Sequence, residues 1–143
     1  MRLLIVFFFV VFSAFENKAA LSTDTLTIQI SNIRNERGQL IIAIFDNSKD
    51  FLDKPYMFVR TSAVSPELEV NFENLKFGEY ALSIIHDENN NDKLDTNLFG
   101  VPKEGFGFSN DAMGTFGPPS FEKSKINWFG GNEPVKISLK YFL

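Results

Sequence analysis

Period-two alternation of apolar and polar residues is the feature that most constrains the fold of this chain. Leu26, Ile28 and Ile30 alternate with Thr25, Thr27 and Gln29. Leu68, Val70 and Phe72 alternate with Glu67, Glu69 and Asn71. Tyr80, Leu82, Ile84 and His86 do the same, as do Val135, Ile137, Leu139 and Tyr141 near the end. Successive side chains of an extended strand point to opposite faces, so each run describes a strand with one face buried. The unbroken apolar run Leu40–Phe45 suits a central strand covered on both sides. Met57–Val64 reads as a weaker strand, and Ile126–Phe129 as a further strand near the end. Turn signals lie between them at Arg34–Gly38, Asn74–Gly78 and Gly130–Asn132. No stretch shows helical periodicity. The expectation is an all-β fold: a single antiparallel β-sandwich of about seven strands with one long ordered loop over residues 96–124.

The first residues stand outside that pattern. Arg2 precedes the apolar run Leu3–Phe12, and small residues follow at Ser13, Ala14, Ala19 and Ala20. A membrane span needs ~20 apolar residues, so this shorter run reads as a secretory signal peptide over residues 1–20. Residues 21–143 then form one domain, exported to the periplasm or the extracellular space. The chain has no cysteine, which excludes both disulfides and a lipidated N-terminal cysteine. Its 14 basic and 18 acidic residues become 12 and 17 once Arg2, Lys18 and Glu16 are removed, a net charge near −5. That balance opposes nucleic acid and anionic membrane surfaces as partners, and no membrane insertion is expected after signal cleavage.

A polar passage, His86-Asp87-Glu88-Asn89-Asn90-Asn91-Asp92-Lys93-Leu94-Asp95-Thr96-Asn97, ends the strand that begins near Tyr80. Oxygen-bearing side chains at Asp87, Asn89, Asn91 and Asp95 occupy places one, three, five and nine of a loop. With the Lys93 carbonyl at place seven, this is the spacing by which a turn wraps calcium. The twelfth place holds Leu98 rather than glutamate, so a bidentate carboxylate would have to come from elsewhere, with Glu104 and Asp111 as candidates. The alternative is a solvated turn that binds nothing. His86, the sole histidine, lies in phase with Tyr80, Leu82 and Ile84, so it is expected as a hydrogen-bonded strand-end residue. A hydrolase using His86 is the less favoured reading, because no G-x-S-x-G elbow accompanies it.

The segment after the loop carries Phe99, Phe106, Phe108, Phe116 and Phe121 among five glycines. Glycine-spaced aromatics serve either as plugs at one end of the sandwich or as a face for a glycan or envelope protein. Most are expected to be plugs, with Phe99 and Phe116 left exposed.

Two sets of residues carry a resemblance. Phe72-Glu73-Asn74-Leu75-Lys76-Phe77-Gly78-Glu79-Tyr80 resembles the corner of transthyretin-like and collagen-adhesin B-type sandwich modules, with Gly78 expected at a positive-φ turn position. Gly78–Ala81, His86–Asn97, Gly100–Asn110 and Phe116–Phe121 together resemble the bacterial exported family called domain of unknown function 2141. The resemblance implies an exported single domain of transthyretin-like or immunoglobulin-like Greek-key type and brings no catalytic residue. The chain departs from the family where glycine is usual, at Asn90 and Asp92. The expected function is therefore a non-enzymatic, calcium-stapled module acting in envelope binding or structure. The alternative is a carbohydrate-binding or protein-interaction module using the Phe/Gly-rich loop.

Overall fold

A computed structural model describes residues 22–64 and 66–143; the signal-peptide reading falls on residues outside this range. The described residues form eight strands: β1 (Thr23–Ser31), β2 (Gln39–Phe45), β3 (Met57–Ser62), β4 (Leu68–Lys76), β5 (Gly78–Asp87), β6 (Gly105–Phe108), β7 (Lys125–Trp128) and β8 (Val135–Ser138). One helical turn, α1 (Phe121–Ser124), is capped by the Ser120 hydroxyl, which accepts from the Lys123 N–H. Strands β4-β1-β8 make one sheet; β3-β2-β5-β6 make the other, with β7 pairing the start of β5. The all-β sandwich expectation holds. All pairings are antiparallel except β1 with β8, which run parallel.

The alternation sorts side chains as the pattern requires. Leu26, Ile28, Ile30, Leu40, Ile42, Ile44, Leu82, Ile84 and Ile137 meet between the sheets in one core. The short turns do not make hairpins. Both the segment 32–38 and the corner before Gly78 carry the chain from one sheet to the other. At that corner the left-handed residue is Asn74 (φ 56°), not Gly78 as expected. Asparagine tolerates this conformation because its short polar side chain bonds locally. The Tyr80 hydroxyl donates back to the Lys76 carbonyl at 3.0 Å, tying the corner to β5.

The segment expected as a long loop contains a strand. Gly105-Phe106-Gly107-Phe108 is β6, and its alternation is glycine inward, phenylalanine outward. A Cβ on Gly107 would lie 2.8 Å from Ile137 Cγ2, and one on Gly105 would lie 2.3 Å from the Tyr141 ring. The glycines let the opposite sheet close in, and Phe106 and Lys140 exchange hydrogen bonds across the join. Phe106, Phe108 and Phe121 are buried, whereas Phe99 and Phe116 are exposed. The buried three do not plug an end of the sandwich. They cover the outer face of the larger sheet, where Phe121 packs on Ala43, Phe45 and Ala81 with Phe51 beside it. This second core explains why Leu40–Phe45 is apolar on both faces.

Candidate functional site

The site lies at one end of the sandwich, where β5 runs out into the Asp/Asn loop. Register sets its floor: Gln39 at the start of β2 pairs with Asp87 at the end of β5, and Leu40 pairs with His86. The chain enters β2 through Gly38 (φ 69°), where a Cβ would collide with the Asp87 carbonyl oxygen at 2.0 Å. Only glycine lets the two backbones approach so closely.

Asp87 is fully buried and folds the loop onto itself. Its Oδ1 accepts from the Asn91 N–H at 3.0 Å, and its Oδ2 accepts from the Asp92 N–H at 2.9 Å and from Gln39 Nε2 at 2.8 Å. Burial opposes the charged form, but the Gln39 amide and the backbone N–H groups of Asp92, Asn91 and Asn90 outweigh it and hold the carboxyl below its ordinary range. The turn needs left-handed backbone at Asn90 (φ 59°) and Asp92 (φ 64°), a conformation that asparagine and aspartate tolerate better than other non-glycine residues.

Asp95 closes the far side. It accepts from Asn89 Nδ2 at 2.6 Å and from Asn91 Nδ2 at 3.0 Å. Those amides, with Lys93 and Lys103 nearby, hold its carboxyl below the usual range. Places three, five and nine therefore converge. The Asn89 and Asn91 side-chain oxygens now accept from the Asn91 N–H at 3.2 Å and the Lys93 N–H at 3.1 Å; half-turns of the two amides, at the loss of those bonds, would direct them toward the Asp95 carboxylate as hard oxygens of the kind calcium takes. The Lys93 side chain points to solvent and its N–H donates to Asn91 Oδ1 at 3.1 Å. Among the described residues, no three His, Cys, Asp or Glu side chains gather for a metal, so any cation here relies on amide oxygens.

The two carboxylates expected as extra ligands do other things. Glu104 is buried beneath the loop, and its Oε1 and Oε2 accept from the backbone N–H groups of Glu88 and Asp95, each at 2.9 Å. One side chain thus pins both ends of the loop. Asp111 lies elsewhere, at β8, where it accepts from the Ser138 N–H at 3.2 Å. Period and spacing gave no sign of Gln39, Glu88, Arg34, Arg37 or Arg60 at this site. Gln39 also donates to Asp92, as does Arg60 Nε, both at 3.0 Å. Glu88 takes ion pairs from Arg34 and Arg37. Burial opposes its charge, but Arg34, Asn35 and Arg37 hold its carboxyl below the ordinary value. Beside them opens a polar recess of about 300 Å³, lined by three basic and three acidic side chains and Asn89.

His86 is fully buried on the inner side. Its Nε2 lies 2.9 Å from the Arg37 carbonyl and its Nδ1 lies 2.8 Å from the Tyr141 hydroxyl. A carbonyl only accepts, so Nε2 carries the proton and Tyr141 donates to Nδ1. That hydroxyl in turn accepts from the Arg34 N–H at 3.3 Å. The relay ties β5 to the β1–β2 crossing and to the C-terminal segment.

Beyond Asp95 the chain turns back in a small hairpin. Thr96 bridges Pro102, and the Lys103 N–H donates to the Asp95 carbonyl at 2.8 Å. Asn97 Oδ1 accepts from the N–H groups of Phe99 (2.9 Å) and Val101 (3.0 Å). At the tip, Leu98 and Phe99 have relative exposures of 101% and 91%.

No curated protein and no solved structure matched this chain. A family model matches residues 28–137, which span every strand from β2 to β7, the last four of the nine residues of β1 and three of the four of β8. The chain belongs to the family described as an uncharacterized protein conserved in bacteria, domain of unknown function 2141.

Proposed function

We propose that this protein is an exported, non-enzymatic binding or structural module of the cell envelope whose Asp87–Asn97 loop takes a calcium ion. The observation that carries the reading is the convergence of Asn89 and Asn91 on the Asp95 carboxylate above the buried Asp87. The ion would sit among Asp87, Asn89, Asn91 and Asp95 and the Lys93 carbonyl. It would replace amide–carboxylate hydrogen bonds with direct oxygen ligation. With amides for half its side-chain donors and no glutamate at Leu98, the site belongs to the weak class of extracellular calcium modules, Kd ~10⁻⁴–10⁻³ M. Magnesium fits less well, since it demands near-octahedral geometry and sheds water reluctantly. The commitment of both His86 ring nitrogens to Tyr141 and Arg37 supports a structural rather than a catalytic histidine.

Thermal melts after chelation, then with added calcium or magnesium, test the reading. At a calcium concentration ten times a millimolar Kd, linkage adds ~1.4 kcal/mol. The melting temperature should rise with calcium and not with magnesium, and Asp95→Ala should remove the rise. A melt indifferent to calcium, with no heat on titration, refutes it.

A further inference from the structure

We propose that the hairpin tip Asn97–Gly100 is a docking point for the interfacial layer of an anionic phospholipid bilayer. Leu98 and Phe99 are each almost wholly free of protein neighbours, so they project from the surface rather than lying in a flat patch. They are not exposed through disorder. Asn97 clamps the turn with its side chain, its N–H donates to the Val101 carbonyl at 2.8 Å, and the Gly100 N–H donates to the Asn97 carbonyl at 3.0 Å.

A rigid convex pair of large apolar side chains suits a soft partner it can enter; a folded protein would need a matching concavity. Below the pair, on the same loop, Lys93 and Lys103 are exposed, and both lie within electrostatic range of Asp95. Apolar residues above and lysines below is the layering of an interfacial anchor, with the ammonium groups at the level of lipid phosphates. The net charge near −5 of residues 21–143 (12 basic, 17 acidic) resists an anionic surface as a whole. Docking therefore rests on the apolar pair, is peripheral and weak, and departs for this tip alone from the expectation that the charge balance opposes an anionic membrane surface. Among the described residues no helix is long and apolar enough to cross a membrane. The proposal does not require the cation.

The test is co-sedimentation of residues 21–143 with phosphatidylcholine vesicles, with and without phosphatidylglycerol, in the presence of a chelator and again with calcium. Keeping the chelator arm separates failure here from failure of the calcium reading. The parent should pellet with the mixed vesicles. Leu98→Ser/Phe99→Ser should lower partition by ~tenfold or more at unchanged melting temperature, because exposed side chains contribute little to folding. Phe99→Trp should give vesicle-dependent blue-shifted emission, quenched by brominated lipid, over the background of Trp128. Lys93→Gln/Lys103→Gln should remove the preference for anionic lipid. A parent that stays in the supernatant overturns the proposal, as does pelleting unaffected by the serine pair. A parent that self-associates through the tip, with the serine pair restoring monomers, would make it a contact between copies and equally overturn the lipid reading.

Discussion

Replacing Glu104 with glutamine isolates the residue on which the loop is built. Its carboxylate is buried, and each oxygen accepts one backbone N–H, from Glu88 and from Asp95, at 2.9 Å. Glutamine is nearly isosteric but offers one oxygen and one NH₂ group. One of the two backbone donors must then face another donor. A hydrogen bond to a charged acceptor contributes ~1.5–3 kcal/mol, and leaving a buried donor unmet costs ~1–3 kcal/mol. These describe the same event, so the expected loss is ~2–3 kcal/mol, or roughly 6–12 °C in melting temperature for a domain of this size. Glu104→Ala should cost more, because both donors are abandoned and a cavity is left. The assay is thermal and urea unfolding together with amide exchange by NMR. Exchange should accelerate at Glu88 and Asp95 more than at core amides such as Ile42. The exposed Glu122→Gln serves as the control. A change within ~0.5 kcal/mol, typical of surface substitutions, with unaltered exchange would refute the staple. A rise in stability would show that relief of crowding among Glu88, Asp95 and Glu104 outweighs the lost bond.

Other consequences follow from the same geometry. Phe121→Ala and Phe106→Ala should each destabilise the fold by ~3–5 kcal/mol in urea titrations, whereas Phe99→Ala and Phe116→Ala should stay within ~0.5 kcal/mol. Asp87 and Glu88 both have carboxyls held below their ordinary values in the folded state. Their stabilisation is complete above the unfolded values of ~4 and is lost as the pH falls through the lower folded ones. Melting temperature should therefore drop with acid in that window, and Asp87→Asn should flatten the drop while lowering the plateau. Sequencing of protein recovered from an envelope or secreted fraction should place the mature N-terminus between residues 15 and 22; an intact Met1 on cytoplasmic protein would contradict export.

Much of the candidate site was legible because its chemistry is local. Asp87, Asn89, Asn91 and Asp95 sit within one short loop, and alternate oxygens there are a turn whether or not a cation is added. The tolerance of Asn90 and Asp92 for positive φ follows from residue type alone. Glu104 was legible only as a spare carboxylate, expected as an extra ligand and not as the acceptor of two backbone N–H groups; Gln39 and Arg60 were not legible, because nothing in their neighbourhood along the chain marks them. Gln39 reaches Asp87 only through the β2–β5 register, and Glu104 reaches the loop only because β6 returns beside β5.

The same division holds for the fold. Alternation at Leu26–Ile30, Leu68–Phe72, Tyr80–His86 and Val135–Tyr141 determined strands and inward faces, since a strand has a period of two and water selects the buried face. Residue type alone favoured burial for most of the five phenylalanines in residues 99–121, and the packing decided which: Phe106, Phe108 and Phe121 are buried, Phe99 and Phe116 exposed. Which sheet each strand joins, and that β1 and β8 run parallel, was decided by tertiary pairing of residues about a hundred positions apart. The strand hidden in Gly105-Phe106-Gly107-Phe108 was decided there too. Its glycines are inward because Ile137 and Tyr141 fill the space a side chain would take. Its phenylalanines are outward because Phe51 packs on Phe108 and Phe142 packs on Phe106 at that face. Neither neighbour can be read from four residues of glycine and phenylalanine, because long-range packing, not local preference, supplies their free energy.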